Sequence, residues 1–139
     1  MTAVTGLAPR PLADSTDSLL RFALRLDATL TGLAGLMIAA AADPLSSLTG
    51  LSSLSEYGVG AFFVLYGLVV FALAAAPDLR RAGIAVVIAN IVFTVGAVVV
   101  AAADALPLTS TGTAVTLASG VYTALIGYLQ YLGVRRLRA

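Results

Sequence analysis

Long apolar runs alternate with short polar segments along the chain, and four of the runs are long enough to matter to a membrane. They cover about residues 21–42, 58–76, 82–103 and 114–134, close to the roughly 20 apolar residues that a helix needs to cross a bilayer. Polar punctuation supports these limits. Asp14, Ser15, Asp17 and Ser18 offer N-caps before the first run, and Asp43-Pro44 closes it. Ser53-Leu54-Ser55-Glu56 matches a capping box before the second run, and Pro77 ends it. Asp78 can cap the third run, and Thr109-Ser110-Thr111-Gly112-Thr113 leads into the fourth. The third run is rich in Val and Ile, a strand signature in water. In lipid an unbroken run of that length must pair its own backbone groups, so it reads as a helix. Residues 1–18, with Pro9, Arg10 and Pro11 and no periodicity, read as a flexible cytoplasmic tail.

Composition points to the same solvent. Of 139 residues, 60% are hydrophobic and 11% charged, less than half the roughly 25% charge of a soluble domain. The mean hydropathy is +1.01. A water-soluble fold with this composition would expose large apolar patches, which monomers avoid. The predicted fold class is therefore all-α, a four-helix transmembrane bundle spanning residues 19–139. All eight basic residues are Arg, beside abundant Ala, Gly and Val, the bias of a high-GC bacterial genome.

Charge placement orients the bundle. Arg10, Arg21 and Arg25 flank the start of span one, Arg80 and Arg81 separate spans two and three, and Arg135, Arg136 and Arg138 follow span four. The other two loops carry Asp43, Glu56 and Asp104 and no basic residue. Basic residues collect on the cytoplasmic side of short loops, so both termini are expected inside, in a multi-pass protein of the cell's inner (plasma) membrane. A competing reading takes span one, ending in Ala39-Ala40-Ala41-Ala42, as a signal peptide. Asp27 and the Arg pair beside its apolar core argue against that.

In the first outer loop, Leu45, Leu48, Leu51 and Leu54 recur every third residue. That spacing predicts a short helical turn on the outer interface with its leucines down, either tucked onto the bundle or acting as a lid. Ala40–Ser46 after span one parallels Ala101–Pro107 after span three, and Leu79–Ala82 parallels Arg136–Ala139. Every odd span exits on the same side, so topology alone produces much of this similarity.

Helices gain no hydrophobic drive to associate in lipid, and small residues that allow close approach mark the seams. Ala28, Gly32, Gly35, Ala39 and Ala42 form a stripe on span one; Gly60, Gly67 and Ala74 one on span two. Span three carries Ala82, Ala89, Gly96 and Ala103, and span four Gly120, Ala124 and Gly127. These stripes predict the core of one bundle, with a homo-oligomer or larger membrane complex as the other use. Tyr57, Tyr128 and Tyr131 fit an interfacial belt, whereas Tyr66 and Tyr122 lie deeper and call for hydrogen-bond partners.

Three polar residues fall at membrane depth: Asp27, Asn90 and Gln130. With Arg25, Thr31, Thr94 and Thr123 in reach, they are expected to share one layer in the inner half of the bundle. Asp27 has two readings. One is an ion, proton or substrate site. The other is a carboxylate near a helix N-terminus, stabilised by the dipole and paired with Arg21, Arg81 or Arg135. Asn90 and Gln130 read as interhelical hydrogen-bond links.

The chain has no Cys and no His, which removes thiol nucleophiles, imidazole bases and the usual zinc or copper ligand sets. One acid inside the spans makes no carboxylate pair, so no catalytic residue, metal site or cofactor is expected. The Arg clusters fit anionic lipid headgroups rather than nucleic acid, which makes the lipid bilayer the first partner.

Leu24-Arg25-Leu26-Asp27-Ala28 followed by Gly32 and Gly35, Ala89-Asn90, and Leu129-Gln130-Tyr131-Leu132-Gly133-Val134-Arg135-Arg136 resemble a family of small four-span integral membrane proteins of actinobacteria and proteobacteria. The resemblance covers most of the chain after residue 18 and implies the four-span fold and no activity. The chain does not look like small multidrug efflux proteins, which place a Glu in the middle of the first span. The expected role is a non-catalytic accessory or structural membrane component, and the alternative is a small transporter or channel.

Overall fold

Side-chain caps and small residues decide where these helices begin and how they touch. The computed structural model describes residues 16–137 and holds five helices. They are α1 (Ser18–Ala40), α2 (Ala42–Thr49), α3 (Ser53–Leu73), α4 (Leu79–Ala102) and α5 (Ser110–Arg136). α1, α3, α4 and α5 are each long and apolar enough to cross a membrane. The fold is all-α, with no strand among the described residues. Most of the predicted tail lies outside the described residues, and Ser18 already belongs to α1.

Asp78 accepts from Arg81 N at 3.1 Å and Thr109 from Gly112 N at 3.0 Å, so α4 and α5 start at the expected caps. The spans are longer than their apolar runs because these caps sit upstream of the apolar residues. α3 differs from expectation. Its cap is Ser52, whose hydroxyl accepts from Ser55 N at 3.1 Å. The capping box at 53–56 does not form, because Glu56 turns inward and takes a hydrogen bond from Thr49. α1 also departs: Asp17 makes no side-chain cap and instead pairs with Arg21 at 2.9 Å, one turn on.

The segment between the first two spans is mostly helix. A single break at Ala41 separates α1 from α2, and Pro44 fits in the first turn of α2, where its missing N–H removes no helical bond. Gly50 ends α2 in the left-handed conformation, with φ 87°. The four leucines do not all turn inward: Leu45 and Leu51 are half-buried, whereas Leu48 and Leu54 are exposed. A period of three drifts around a helix of 3.6 residues per turn. α2 is tied instead by its backbone, through Thr109 N to Thr49 O at 2.9 Å and the Thr109 hydroxyl to Leu48 O.

The bundle consists of two tight pairs, α1 with α3 and α4 with α5, joined mainly along α1 and α5. In the first pair the backbones touch. A Cβ added to Gly60 would lie 2.6 Å from Gly35 O, and one on Gly67 2.7 Å from Ala28 O. Gly32 is looser, 3.9 Å from the Gly67 Cα by the same construction. In the second pair, Gly127 faces the Asn90 Cβ and Gly120 the Ala97 Cβ. A third close approach was not expected from the sequence: Leu20 is wedged between Gly83 and Gly133, filling a notch that joins α1 to α4 and α5.

Two predicted stripes are corrected. On α4 the inward face is Gly83, Val86, Asn90, Thr94 and Ala97, and Gly96 meets nothing within 4 Å. On α5, Ala124 is exposed. A small residue tolerates either environment, whereas Asn90 and Thr94 must find partners, and they set the rotation of α4. Between α3 and α4 large rings replace small residues. Phe93 stands 5.7 Å from Phe62 and 5.8 Å from Tyr66, the latter edge-on.

The six described arginines lie at one end of the bundle, where Arg21 also donates to Ala74 O at 2.7 Å. Asp43, Glu56 and Asp104 lie at the other end, without a basic residue among those described.

Candidate functional site

All four spanning helices meet at one carboxylate. Asp27 is 0% exposed, Gln130 0% and Asn90 1%. Asp27 lies about two and a half turns inside α1, which starts at Ser18, ahead of the apolar run. Asn90 sits at the middle of α4.

Five neutral donors converge on the Asp27 side chain. Thr31 Oγ1 and Tyr122 OH donate to Oδ1 at 3.0 and 3.1 Å. Gln130 Nε2, Asn90 Nδ2 and Tyr66 OH reach Oδ2 at 2.9, 3.1 and 3.2 Å. α1 therefore supplies the acceptor and one donor, α3 one donor, α4 one and α5 two. A carboxylate accepts and does not donate, and this shell matches it. Asn90 Nδ2 also approaches Gln130 Oε1 at 2.9 Å and Val86 O at 3.2 Å, giving its two hydrogens three acceptors. Beside this cluster, Thr94 and Thr123 face each other across α4 and α5 at 2.7 Å.

Helix geometry explains the convergence. Thr31 stands one turn from Asp27, on the same face of α1. Tyr66 and Tyr122 reach the carboxylate because their long side chains carry the hydroxyl several ångströms from its own helix. Ile126, Gln130, Gly133 and Val134 make up the buried face of the last turns of α5, so Gln130 is carried inward with them.

Asp27, Asn90 and Gln130 are thus brought together, and Arg25 is not. Arg25 is exposed, since two residues along a helix are about 200° apart around its axis. None of the proposed cation partners reaches Asp27. Arg21 is engaged by Asp17 and Ala74 O, Arg81 pairs with Asp78 at 3.3 Å, and Arg135 lies over the Tyr131 ring at 5.9 Å. The helix dipole is no substitute at this depth, because its effect fades within the first turn. Hydrogen bonds do the stabilising. Among the described residues, every buried side-chain nitrogen and oxygen has a partner.

Tyr66 and Tyr122 are the site residues that the sequence left unassigned. Their depth in the spans signalled a need for partners, but not that both would serve the same carboxylate. Comparison with protein-family models, with curated proteins and with solved structures finds no match to the chain.

Proposed function

We propose that this chain is a non-catalytic accessory or structural component of the inner (plasma) membrane. The observation that carries the reading is the closure of the Asp27 shell, in which donors from four helices are spent on one another's partner inside the chain. Such a junction fixes the relative rotation of the helices. A polar group in hydrocarbon has few alternative partners, so the satisfied arrangement is favoured over slipped ones. The outward faces, rich in Leu, Val, Ile and Phe, suit lipid or another membrane protein. We further propose that the Arg-rich end faces the cytoplasm, which places both termini inside by the bias of basic residues, and that anionic headgroups meet that end. The sequence resemblance to small four-span bacterial membrane proteins is in keeping with this role.

Native mass spectrometry of the protein extracted from its own membranes tests the reading. A defined complex with a foreign subunit is the expected result. A homo-oligomer that supports flux of an ion or solute in liposomes, with flux lost in Asp27→Asn at normal membrane levels, would overturn it. That outcome would install the second reading, a small transporter or channel. One observation favours the second reading: an acid at membrane depth with no cationic partner, the usual mark of a functional residue.

A further inference from the structure

We propose that the cavity at the Arg-rich end of the bundle is a headgroup site for a phospholipid with a primary ammonium, of the phosphatidylethanolamine class. The inference rests on the reading above that this end lies among lipid headgroups, and it adds which headgroup and where.

The cavity measures about 530 Å³ and opens to the surface where the start of α1, the turn into α4 and the end of α5 meet. Asp17 and Arg21 line it from the start of α1, and Asp78 and Arg80 from the turn into α4, with Leu79 and Leu137 as apolar wall. Three of the four charges are already engaged. Asp17 pairs with Arg21 at 2.9 Å, and Asp78 with Arg81 at 3.3 Å. Arg80 is exposed and has no ion pair or hydrogen bond among the described residues. The cavity therefore presents one uncommitted guanidinium. Phosphate is the anion of the headgroup layer, and a guanidinium takes it through paired N–H donors.

A phosphate alone fits poorly. Two carboxylates share the rim with Arg80, and both disfavour a ligand whose only charge is negative. Asp17 Oδ2 accepts from Arg21 Nε, and a carboxylate has room for about four such bonds. Of the two acids Asp17 is the more enclosed, with its side chain 35% exposed against 59% for Asp78, so its charge is less screened. A primary ammonium brings N–H donors to it. A quaternary ammonium brings the same charge and no N–H, and a glycerol headgroup brings no cation. The ligand that answers both signs carries phosphate and primary ammonium together.

The surface beside the cavity suits a lipid. Arg80, Ile84, Ile88 and Ile91 follow one another at steps of four, four and three on one face of α4, and all four are exposed. From Arg80 to Ile91 the helix rises about 16 Å, close to half of the roughly 30 Å hydrocarbon core. An acyl chain laid along this ridge crosses one leaflet with its headgroup at the cavity.

The test is native mass spectrometry of the full chain in detergent micelles, with phosphatidylethanolamine, phosphatidylcholine or phosphatidylglycerol of the same acyl chains added. The fraction of protein carrying one lipid is read. The ethanolamine lipid is expected to be retained about fivefold more tightly than the other two, the upper range for one half-exposed ion pair. Arg80→Ala is expected to weaken retention of all three. Asp17→Asn keeps an oxygen for Arg21 and is expected to erase the preference for the ethanolamine over the choline lipid. Should that variant not fold, N-monomethyl and N,N-dimethyl ethanolamine lipids make the same test on the wild type. Each methyl removes one donor at constant charge, and retention is expected to fall along the series. Free phosphoethanolamine at the same concentration is expected not to bind. Equal retention of the three lipids, a preference for the glycerol or choline lipid, or retention unchanged in Arg80→Ala overturns the proposal. A preference that persists in Asp17→Asn, or retention that is flat along the methylated series, overturns the ammonium contact. Free phosphoethanolamine bound as well as the lipid overturns the acyl ridge. Micelles have no sidedness and supply no partner protein, so this result and the orientation and accessory role proposed above fail separately.

Discussion

The seam between α1 and α3 and the seam between α3 and α4 are built from opposite materials. In the first, Gly35, Gly60 and Gly67 leave no side chain between the backbones, and a Cβ would strike a carbonyl at 2.6–2.7 Å. In the second, Phe62, Tyr66 and Phe93 fill the space with rings 5.7–5.8 Å apart. Chain connectivity would suggest the reverse order of closeness, since α3 and α4 are joined by a short turn and α1 and α3 are separated by α2. In lipid, proximity along the chain says little about packing. Close van der Waals contact needs small residues, and it forms where they face each other.

The difference can be broken at three points. Gly60→Leu should have the largest effect, because its side chain must enter the space held by Gly35 O and the Ala39 backbone. The expected result is separation of α1 from α3 and loss of most folded protein, read as the fraction that survives detergent extraction as a monodisperse species. Phe93→Ala should be milder. It removes two ring contacts, each worth about 0.5–1.5 kcal/mol beyond area, and should lower stability in a denaturation titration by about 1–2 kcal/mol. The α1–α3 seam should remain intact, so the fraction that survives detergent extraction as a monodisperse species should stay close to that of the wild type. Gly96→Ala should have the smallest effect. Its Cβ meets nothing within 4 Å, so stability should stay within about 0.5 kcal/mol or rise slightly through helix propensity. A loss as large as that of Phe93→Ala would place Gly96 in a contact with another molecule.

The junction at Asp27 stands apart from both seams, because it is specified by chemistry rather than by size. Asp27, Asn90 and Gln130 were visible in the sequence as polar residues in apolar runs, and a shared layer followed from their distances to the span ends. Their arrangement did not follow. Arg25 sits two residues from Asp27 and invites pairing on paper, yet helical rotation turns it outward. Tyr66 and Tyr122 are far from Asp27 in sequence and complete its shell. Glu56 shows the same limit at the other end. It suits a capping box by spacing, but α2 folds over it and Thr49 becomes its partner.

The sequence by itself determined that four helices long enough to span a membrane would form, and roughly where each would begin and end. Those features depend on the length of apolar runs and on local caps, which are properties of neighbouring residues. It also determined that Asp27, Asn90 and Gln130 needed partners. Tertiary structure alone decided which small residues make contact, as with Gly83 and Gly133 around Leu20 and Gly96 left outside. It alone decided that neutral donors rather than arginines would surround Asp27. Both outcomes depend on the rotation of each helix about its axis. Glycine and alanine are nearly indifferent to that rotation, so it is settled when the few groups that cannot be left unpaired find one another across four helices.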